Sequence, residues 1–344
     1  MSQKNETAVL VLALLITVGL VGGVAWWLAS KSGINLGFLS NNQTQLQGQS
    51  NSDNFTSVAN VPSGLFSYGG STTWAPIRKE VDSAMQTALP QFQLRYTDPT
   101  TGAPGSGTGI KMLLNNQLAF AQSSRSVKPE EYQQAQQQSF TLKEIPVAID
   151  GIAVAVNPNL NIPGLTLSQL KEIYTGKITN WQQVGGPNLT IVPFSRRLEE
   201  GGTIEFFVEN VLEKEKFGAN VQFIPTTTQA LGQVAKNRSG IYYASAPEVV
   251  GQCTVKPIPL GRKPEQLISP YQQPFVPLSD CPQKRNQLNT ATFQSGEYPI
   301  TRRLFVIVKQ NGQIDEKAGE AYANLLLTNQ GQDLIAKAGF VRIR

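Results

Sequence analysis

Three Gly/Ser/Thr-rich segments, each running straight into an amphipathic helical pattern, carry the strongest chemical signal in the sequence. The first is GGSTTWAPI at 69–77, followed by Ile77, Val81, Met85, Ala88 and Leu89 at helical spacing, with Ser71, Thr72 or Thr73 as the expected cap. The second is GSGTGIK at 105–111, where Ile110, Leu113, Leu114 and Leu118 form the buried stripe behind Ser106, Gly107 and Thr108. The third is RRLEEGGTIEFF at 196–207, with Ile204, Phe207, Val208, Val211 and Leu212 behind Thr203. A helix start presents unpaired N–H donors and the positive end of its dipole. Glycine lets an anion reach the backbone, and Ser or Thr adds hydroxyl donors. Each start taken alone is an ordinary cap; three around one cleft would hold a tetrahedral oxyanion.

Arg125, in AQSSRSV at 121–127, and Arg197 are cations that could clamp a dianion bidentately, or could serve as surface ion-pair partners, as could Arg196. The chain of 344 residues has no histidine. Histidine-based triads, a histidine general base and His-ligated metals are therefore excluded, and an enzyme would have to rely on carboxylates, Lys, Tyr or Cys. The sequence supplies no visible catalytic constellation, metal site or cofactor site. GSGTG at 105–109 is not a full dinucleotide fingerprint, and TGKI at 175–178 lacks the rest of a phosphate loop. Cys253 and Cys281 sit 28 residues apart and are read as a disulfide, with two free thiols as the alternative. Trp74 and Trp181 are either core residues or ligand contacts.

The elements that must position these segments belong to an α/β body of short apolar strands alternating with amphipathic helices, with largely parallel sheets. From Thr7 to Ala29 the sequence holds 23 uncharged residues, enough to cross a bilayer, and is read as an uncleaved signal anchor (residues 1–30), a cleaved signal being the alternative. Residues 31–61, rich in Asn, Gln, Ser and Gly, read as a flexible linker spanning about 30 Å as a coil. In IPVAIDGIAVAV at 145–156 the apolar positions fall at 145, 147 and 149 and then at 152, 154 and 156, so the alternation changes phase at Asp150 and Gly151. A strand that changes its buried face midway is leaving one sheet for another, with Gly supplying backbone freedom. A return crossing fits near Tyr298 and Pro299, followed by two C-terminal helices. The expected domains are 62–149 plus 300–344, and 150–299. The net charge of +5 falls on the body and suits an anionic ligand, but no Lys/Arg run tracks a nucleic-acid backbone.

Together these segments resemble the phosphate-binding proteins of ABC phosphate transporters, members of the periplasmic binding protein superfamily. The pieces that carry the resemblance are IYTGKITNW at 173–181, DGIAVAVNP at 150–158, GIYYASA at 240–246, YPITRRLFVIV at 298–308 and GQDLIAKAGFV at 331–341. The resemblance implies a two-domain hinged clamp with mixed, largely parallel sheets that holds one inorganic phosphate without catalysis. It further implies delivery to a membrane permease from the extracytoplasmic (periplasmic) face, here anchored to the plasma membrane. By position it implies phosphate contacts at Thr72, Thr73, Ser106, Arg197, Gly201, Gly202 and Thr203, with Glu199 resembling the acid that braces the arginine. Arg125 follows Ser124, which stands where some members carry an Asp that reads the proton on phosphate, and Gly201 stands where Ser is usual. These departures put phosphate-over-sulfate selectivity in question and leave another tetrahedral oxyanion (sulfate, molybdate or arsenate) as an alternative reading; a membrane-tethered phosphate sensor is a further one.

Overall fold

A computed structural model describes residues 53–198 and 201–343. The expected membrane helix, the first part of the linker and Glu199 lie outside the described residues. Among the described residues no helix is long and apolar enough to cross a membrane. The linker expectation is corrected at its C-terminal end, because Phe55 has 0% exposure within a core cluster and its N–H donates to Gln330 Oε1 at 3.0 Å. Phe55, with Val58 and Val61 packed on the same cluster, joins the chain to the body before Pro62.

The first run of elements is β1 (Gly64–Gly70), α1 (Ala75–Ala88), β2 (Phe92–Tyr96), α2 (Ser106–Leu114), β3 (Phe120–Ser123), α3 (Pro129–Gln137) and the long β4 (Thr141–Val156). The middle run is β5 (Leu165–Thr166), α4 (Leu167–Tyr174), β6 (Val192–Ser195), α5 (Gly202–Asn210), β7 (Gln222–Phe223), α6 (Thr227–Lys236), β8 (Gly240–Ser245) and α7 (Ala246–Val249). It continues with β9 (Lys256–Ile258), β10 (Leu260–Gly261), β11 (Leu267–Ile268) and α8 (Thr290–Ser295). The chain closes with β12 (Thr301–Gln310), α9 (Ile314–Leu326), α10 (Asn329–Lys337) and β13 (Val341–Arg342).

The main sheet runs β2-β1-β3-β12-β4-β8-β6-β7. Pairing is parallel among β2, β1 and β3 and among β8, β6 and β7, but antiparallel where β12 and β4 cross the middle. The sheet is thus mixed rather than largely parallel, because the strand leaving the first half and the strand returning to it run in opposite directions. The phase change at Asp150 and Gly151 marks the switch: β4 pairs with β12 up to Gly151, and from Ile152 onward with β8. Gly151 is there for space rather than for φ, since a Cβ at this position would run into the Phe293 ring.

Two large apolar clusters lie on either side of the switch. One gathers Phe66, Tyr68, Trp74, Ile77, Phe120 and Tyr322, and the other Tyr174, Trp181, Phe207, Val234 and Tyr243. Both tryptophans are fully buried and donate to backbone carbonyls, Trp74 to Ser123 and Trp181 to Ser239, each at 3.1 Å. They belong to the core. Cys253 and Cys281 are joined in a disulfide.

Candidate functional site

The stripes predicted behind the three starts are the buried faces of α1, α2 and α5, which hold the starts rigidly against the sheet. None of these three helices is capped by a side chain. Elsewhere in the same chain Thr166, Thr226 and Thr328 cap α4, α6 and α10, accepting from the backbone N–H of Gln169, Gln229 and Gly331. The capping role expected of Ser71, Thr72 or Thr73 is corrected, because a short 3-10 turn over Thr72–Trp74 precedes α1 and places Trp74 at the cap position. The hydroxyls are turned to other work. Ser71 Oγ donates to Ser124 Oγ at 3.0 Å, Ser106 Oγ lies 3.1 Å from Ser124 Oγ, and the Ser124 N–H donates to Ser106 Oγ at 3.0 Å.

The start of α5 closes against this serine group. Gly201 sits at φ +151°, a backbone region that side chains rarely adopt. A Cβ on Gly202 would stand 2.5 Å from Ser124 Oγ and 2.8 Å from Ser106 Oγ. Thr203 Oγ1 faces Thr73 Oγ1 across 3.4 Å. Beside them opens a cavity of about 240 Å³ lined in part by Thr72, Thr73, Arg196, Thr203, Thr227 and Glu248. Hydroxyls and helix starts from both halves of the chain therefore converge on one cleft.

The arginines are arranged differently from expectation. Arg125 is buried and engaged by carboxylates, bidentate to Glu131 at 2.9 and 2.8 Å and 3.2 Å from Glu205 through Nε. It lines a separate cavity with Lys128, so the clamp role read for it is not supported by its placement. Arg197 is exposed, its guanidinium 5.3 Å from the centre of the Phe223 ring. The adjacent Arg196 lines the cleft instead and is anchored by Nε donating to Pro225 O at 3.1 Å.

Arg302, which sequence reasoning passed over, is buried behind the cleft, against two of the threonines that line it. It is 5% exposed and donates through Nε and Nη2 to Asp150 Oδ2 at 3.0 and 2.9 Å. It also donates to Gly202 O at 3.1 Å, Thr73 Oγ1 at 3.1 Å and Thr203 Oγ1 at 2.9 Å. Arg302 and Asp150 are direct cross-strand partners of β12 and β4. A signal was available: period 2 puts Arg302 on the same strand face as Leu304, Val306 and Val308, all at 0% exposure, and a charge on such a face needs a reason.

Asp150 is held by Ser245 Oγ as well, at 2.6 Å. Glu248, on α7, is pushed up to about 7 by burial and by the Asp150 charge, against the pull of Arg196 and Arg302. Among the described residues no group of three or more His, Cys, Asp or Glu side chains is placed to hold a metal ion. With helix starts, crowded hydroxyls and the Arg196 guanidinium, the cleft can bind a small oxyanion through donors that keep their protons at neutral pH.

Residues 50–330 match the PBP superfamily domain. The chain belongs to that superfamily. Among its relatives in the superfamily, the phosphate-binding protein PstS of Staphylococcus haemolyticus is 28% identical over 275 residues, covering 79% of each chain. The PstS of Staphylococcus aureus is 28% identical over 275 residues, 79% of this chain and 76% of that one. Among solved structures, a protein of Clostridium perfringens assigned as a phosphate ABC transporter substrate-binding protein, with bound phosphate, superposes with a TM-score of 0.64 at 26% identity. That match covers 82% of this chain and 100% of the other. An ABC-type phosphate transport receptor of Vibrio cholerae shares the fold, with a TM-score of 0.62 at 20% identity over 80% of this chain and 99% of that one. The two-domain PBP fold thus frames the switch at Asp150 and Gly151, with the candidate cleft beside it.

Proposed function

We propose that this chain is the extracytoplasmic substrate-binding component of a phosphate ABC transporter, capturing inorganic phosphate in the cleft and presenting it to a membrane permease without catalysing a reaction. The observation that carries this reading is the convergence of the turn before α1 and the starts of α5 and α6 on a hydroxyl-lined cleft, in a chain whose relatives include PstS proteins. The segments 62–149 plus 300–344 and 150–299 act as the two lobes of the clamp. Backbone donors at α1, α2 and α5, the hydroxyls of Thr72, Thr73, Ser106, Ser124 and Thr203, and Arg196 surround the anion. Arg302 orients Thr73 and Thr203 toward it. Thr7 to Ala29 anchors the protein, keeping the clamp at the membrane that holds its permease.

Calorimetric titration of the full chain with phosphate, sulfate, arsenate and molybdate tests the reading. Micromolar or tighter phosphate binding is expected. Binding of sulfate or molybdate with phosphate excluded would replace phosphate by another oxyanion, and absence of binding to all four would remove the function. Lost phosphate uptake on deletion supports transport, whereas intact uptake with altered phosphate signalling would favour a sensor.

A further inference from the structure

We propose that Arg125, Lys128, Glu205 and Glu209 form an ionic latch that holds the two lobes together from outside the anion's cavity and sets how long the anion stays bound. The inference rests on the cleft reading and the lobe division proposed above, and it assigns this role to residues that do not line the cavity.

Arg125 and Lys128 lie between β3 and α3, in the first lobe, whereas Glu205 and Glu209 lie on α5, in the second. Within its own lobe the Arg125 guanidinium is fixed before α5 arrives. Its Nη1 and Nη2 donate to Glu131 at 2.9 and 2.8 Å, and Nη1 also donates to Ser126 O at 2.8 Å. Its Nε donates across to Glu205 Oε2 at 3.2 Å. Lys128 Nζ reaches the same helix, 2.9 Å from Glu205 Oε1 and 3.4 Å from Glu209 Oε1. Each Glu205 oxygen therefore meets a different cation of the opposite lobe. Among the described residues, both carboxylates that reach Lys128 come from α5. Glu205 and Glu209 are four positions apart, so one face of the helix presents both.

The contact is more sheltered than an ordinary surface ion pair, the Arg125 and Glu205 side chains being 5% and 24% exposed. Burial alone would raise the Glu205 carboxyl, yet the Lys128 hydrogen bond and the charges of Arg125 and Lys128 hold it below its ordinary value. It stays ionised at neutral pH. Its position gives the latch its consequence: Glu205 lies in the first turn of α5, two residues after Thr203, which lines the cavity. The anion at the start of α5 and the cations on its flank thus draw one rigid helix toward the first lobe. Opening would leave Glu205 and Glu209 on one side and Lys128 on the other, each with water in place of its partner. Latch and anion favour the same closed state, so the latch adds to affinity without touching the ligand. Because it closes over an anion already in place, its effect falls on release rather than on capture.

The test uses the full chain and inorganic phosphate, with calorimetry for affinity and release of labelled phosphate into an unlabelled chase for the dissociation rate. Glu205→Gln keeps the shape and removes the charge; it is expected to weaken binding and speed release about tenfold, with association within about twofold of wild type. Lys128→Met is expected to speed release about threefold, and Lys128→Arg, which keeps the charge, less than about twofold. In the Glu205→Gln background Lys128→Met should add less than about twofold, because its nearer partner has lost its charge. Release from Glu205→Gln within about twofold of wild type, a loss carried by association alone, or fully multiplicative effects of the two substitutions overturns the proposal. Should Glu205→Gln fail to fold, the Lys128 variants decide: equal effects of Met and Arg, or none from either, overturn it. A wild-type chain that binds no phosphate refutes the cleft reading, and the latch falls with it. Phosphate binding that the variants leave unchanged overturns the latch alone.

Discussion

Replacing Arg302 by Met removes the guanidinium while keeping most of the side-chain volume, and its consequences can be worked from the structure. The Arg302 and Asp150 side chains are 2% and 0% exposed, so solvent screening gives no relief when the pair is broken. Losing one partner of such a pair costs about 3–5 kcal/mol, because the remaining charge is buried without compensation. Asp150 would keep only Ser245 Oγ as a side-chain donor. Burial raises the Asp150 carboxyl even beside Arg302, so its pKa must rise further in the variant. A group that holds its proton more tightly when folded than when unfolded contributes stability that is lost as pH rises through its folded pKa. The deficit of Arg302→Met should therefore be largest near pH 8 and shrink as the pH falls toward 5. Adding Asp150→Asn removes the stranded charge, so the double variant should recover more than half of the loss while still accepting from Ser245. Urea unfolding of the single, reciprocal and double variants at pH 5 and 8 gives the free energies. A single-variant loss below about 1 kcal/mol, a loss independent of pH, or a double variant no more stable than Arg302→Met would refute this account.

Phosphate titrations should separate the neighbouring arginines: Arg196→Ala, whose side chain lines the cavity, is expected to weaken binding by about 2–5 kcal/mol, and Arg197→Ala to change it by less than about 1 kcal/mol. The reverse order would return the site to the position implied by resemblance. Gly202→Ala drives a methyl group toward Ser106 Oγ and Ser124 Oγ, and calorimetry should show phosphate affinity falling at least tenfold, about 1.4 kcal/mol, as the start of α5 is pushed away. Affinity within twofold of wild type would show that the glycine is not needed for close approach. Cys253→Ser/Cys281→Ser opens a loop with a sequence separation of 28, for which chain entropy gives about 3–4 kcal/mol of lost stability, measurable by urea unfolding. A loss below about 1 kcal/mol would mean that the segment between Cys253 and Cys281 is held by its other contacts.

What could be read from the chain followed the range of the physics. Periodicity is local, so the stripes behind Ile77, Ile110 and Ile204 and the phase change at Asp150 were visible without a fold. Helix starts rich in Gly, Ser and Thr were visible too, but whether a hydroxyl caps its own helix or faces a cleft depends on one backbone turn, as Thr72–Trp74 shows. The cations were the least legible. Arg196 and Arg197 differ by one position, and their opposite placements depend on how the strand ending at Ser195 turns into α5. The partner of Arg302 is 152 residues away and is set by the register of β12 against β4, which no window of sequence contains. Resemblance aligned the arginine by spacing from the glycine run, and spacing cannot say which of two adjacent guanidinium groups turns inward.

The place of the Arg302–Asp150 pair explains why one salt bridge can serve both the fold and the cleft. It lies where β4 exchanges β12 for β8 as its partner, the point at which the chain passes from one half of the sheet to the other. From there Arg302 reaches Thr73, which follows β1, and also Gly202 and Thr203, which begin α5. On the lobe division proposed above, opening would lengthen the contacts to Gly202 and Thr203, while Thr73, in the same lobe as Arg302, and Asp150, its cross-strand partner, stay with it. In an opened form the guanidinium would lose two acceptors, Gly202 O and Thr203 Oγ1, and keep Thr73 and Asp150. A bound oxyanion that accepts from the Thr73 and Thr203 hydroxyls draws their lone pairs toward Arg302 and strengthens the same contacts. Ligand and arginine thus favour the same closed arrangement. On the proposed reading, the buried pair biases the two lobes toward closure around the anion, a role that an apolar replacement of equal stability could not fill.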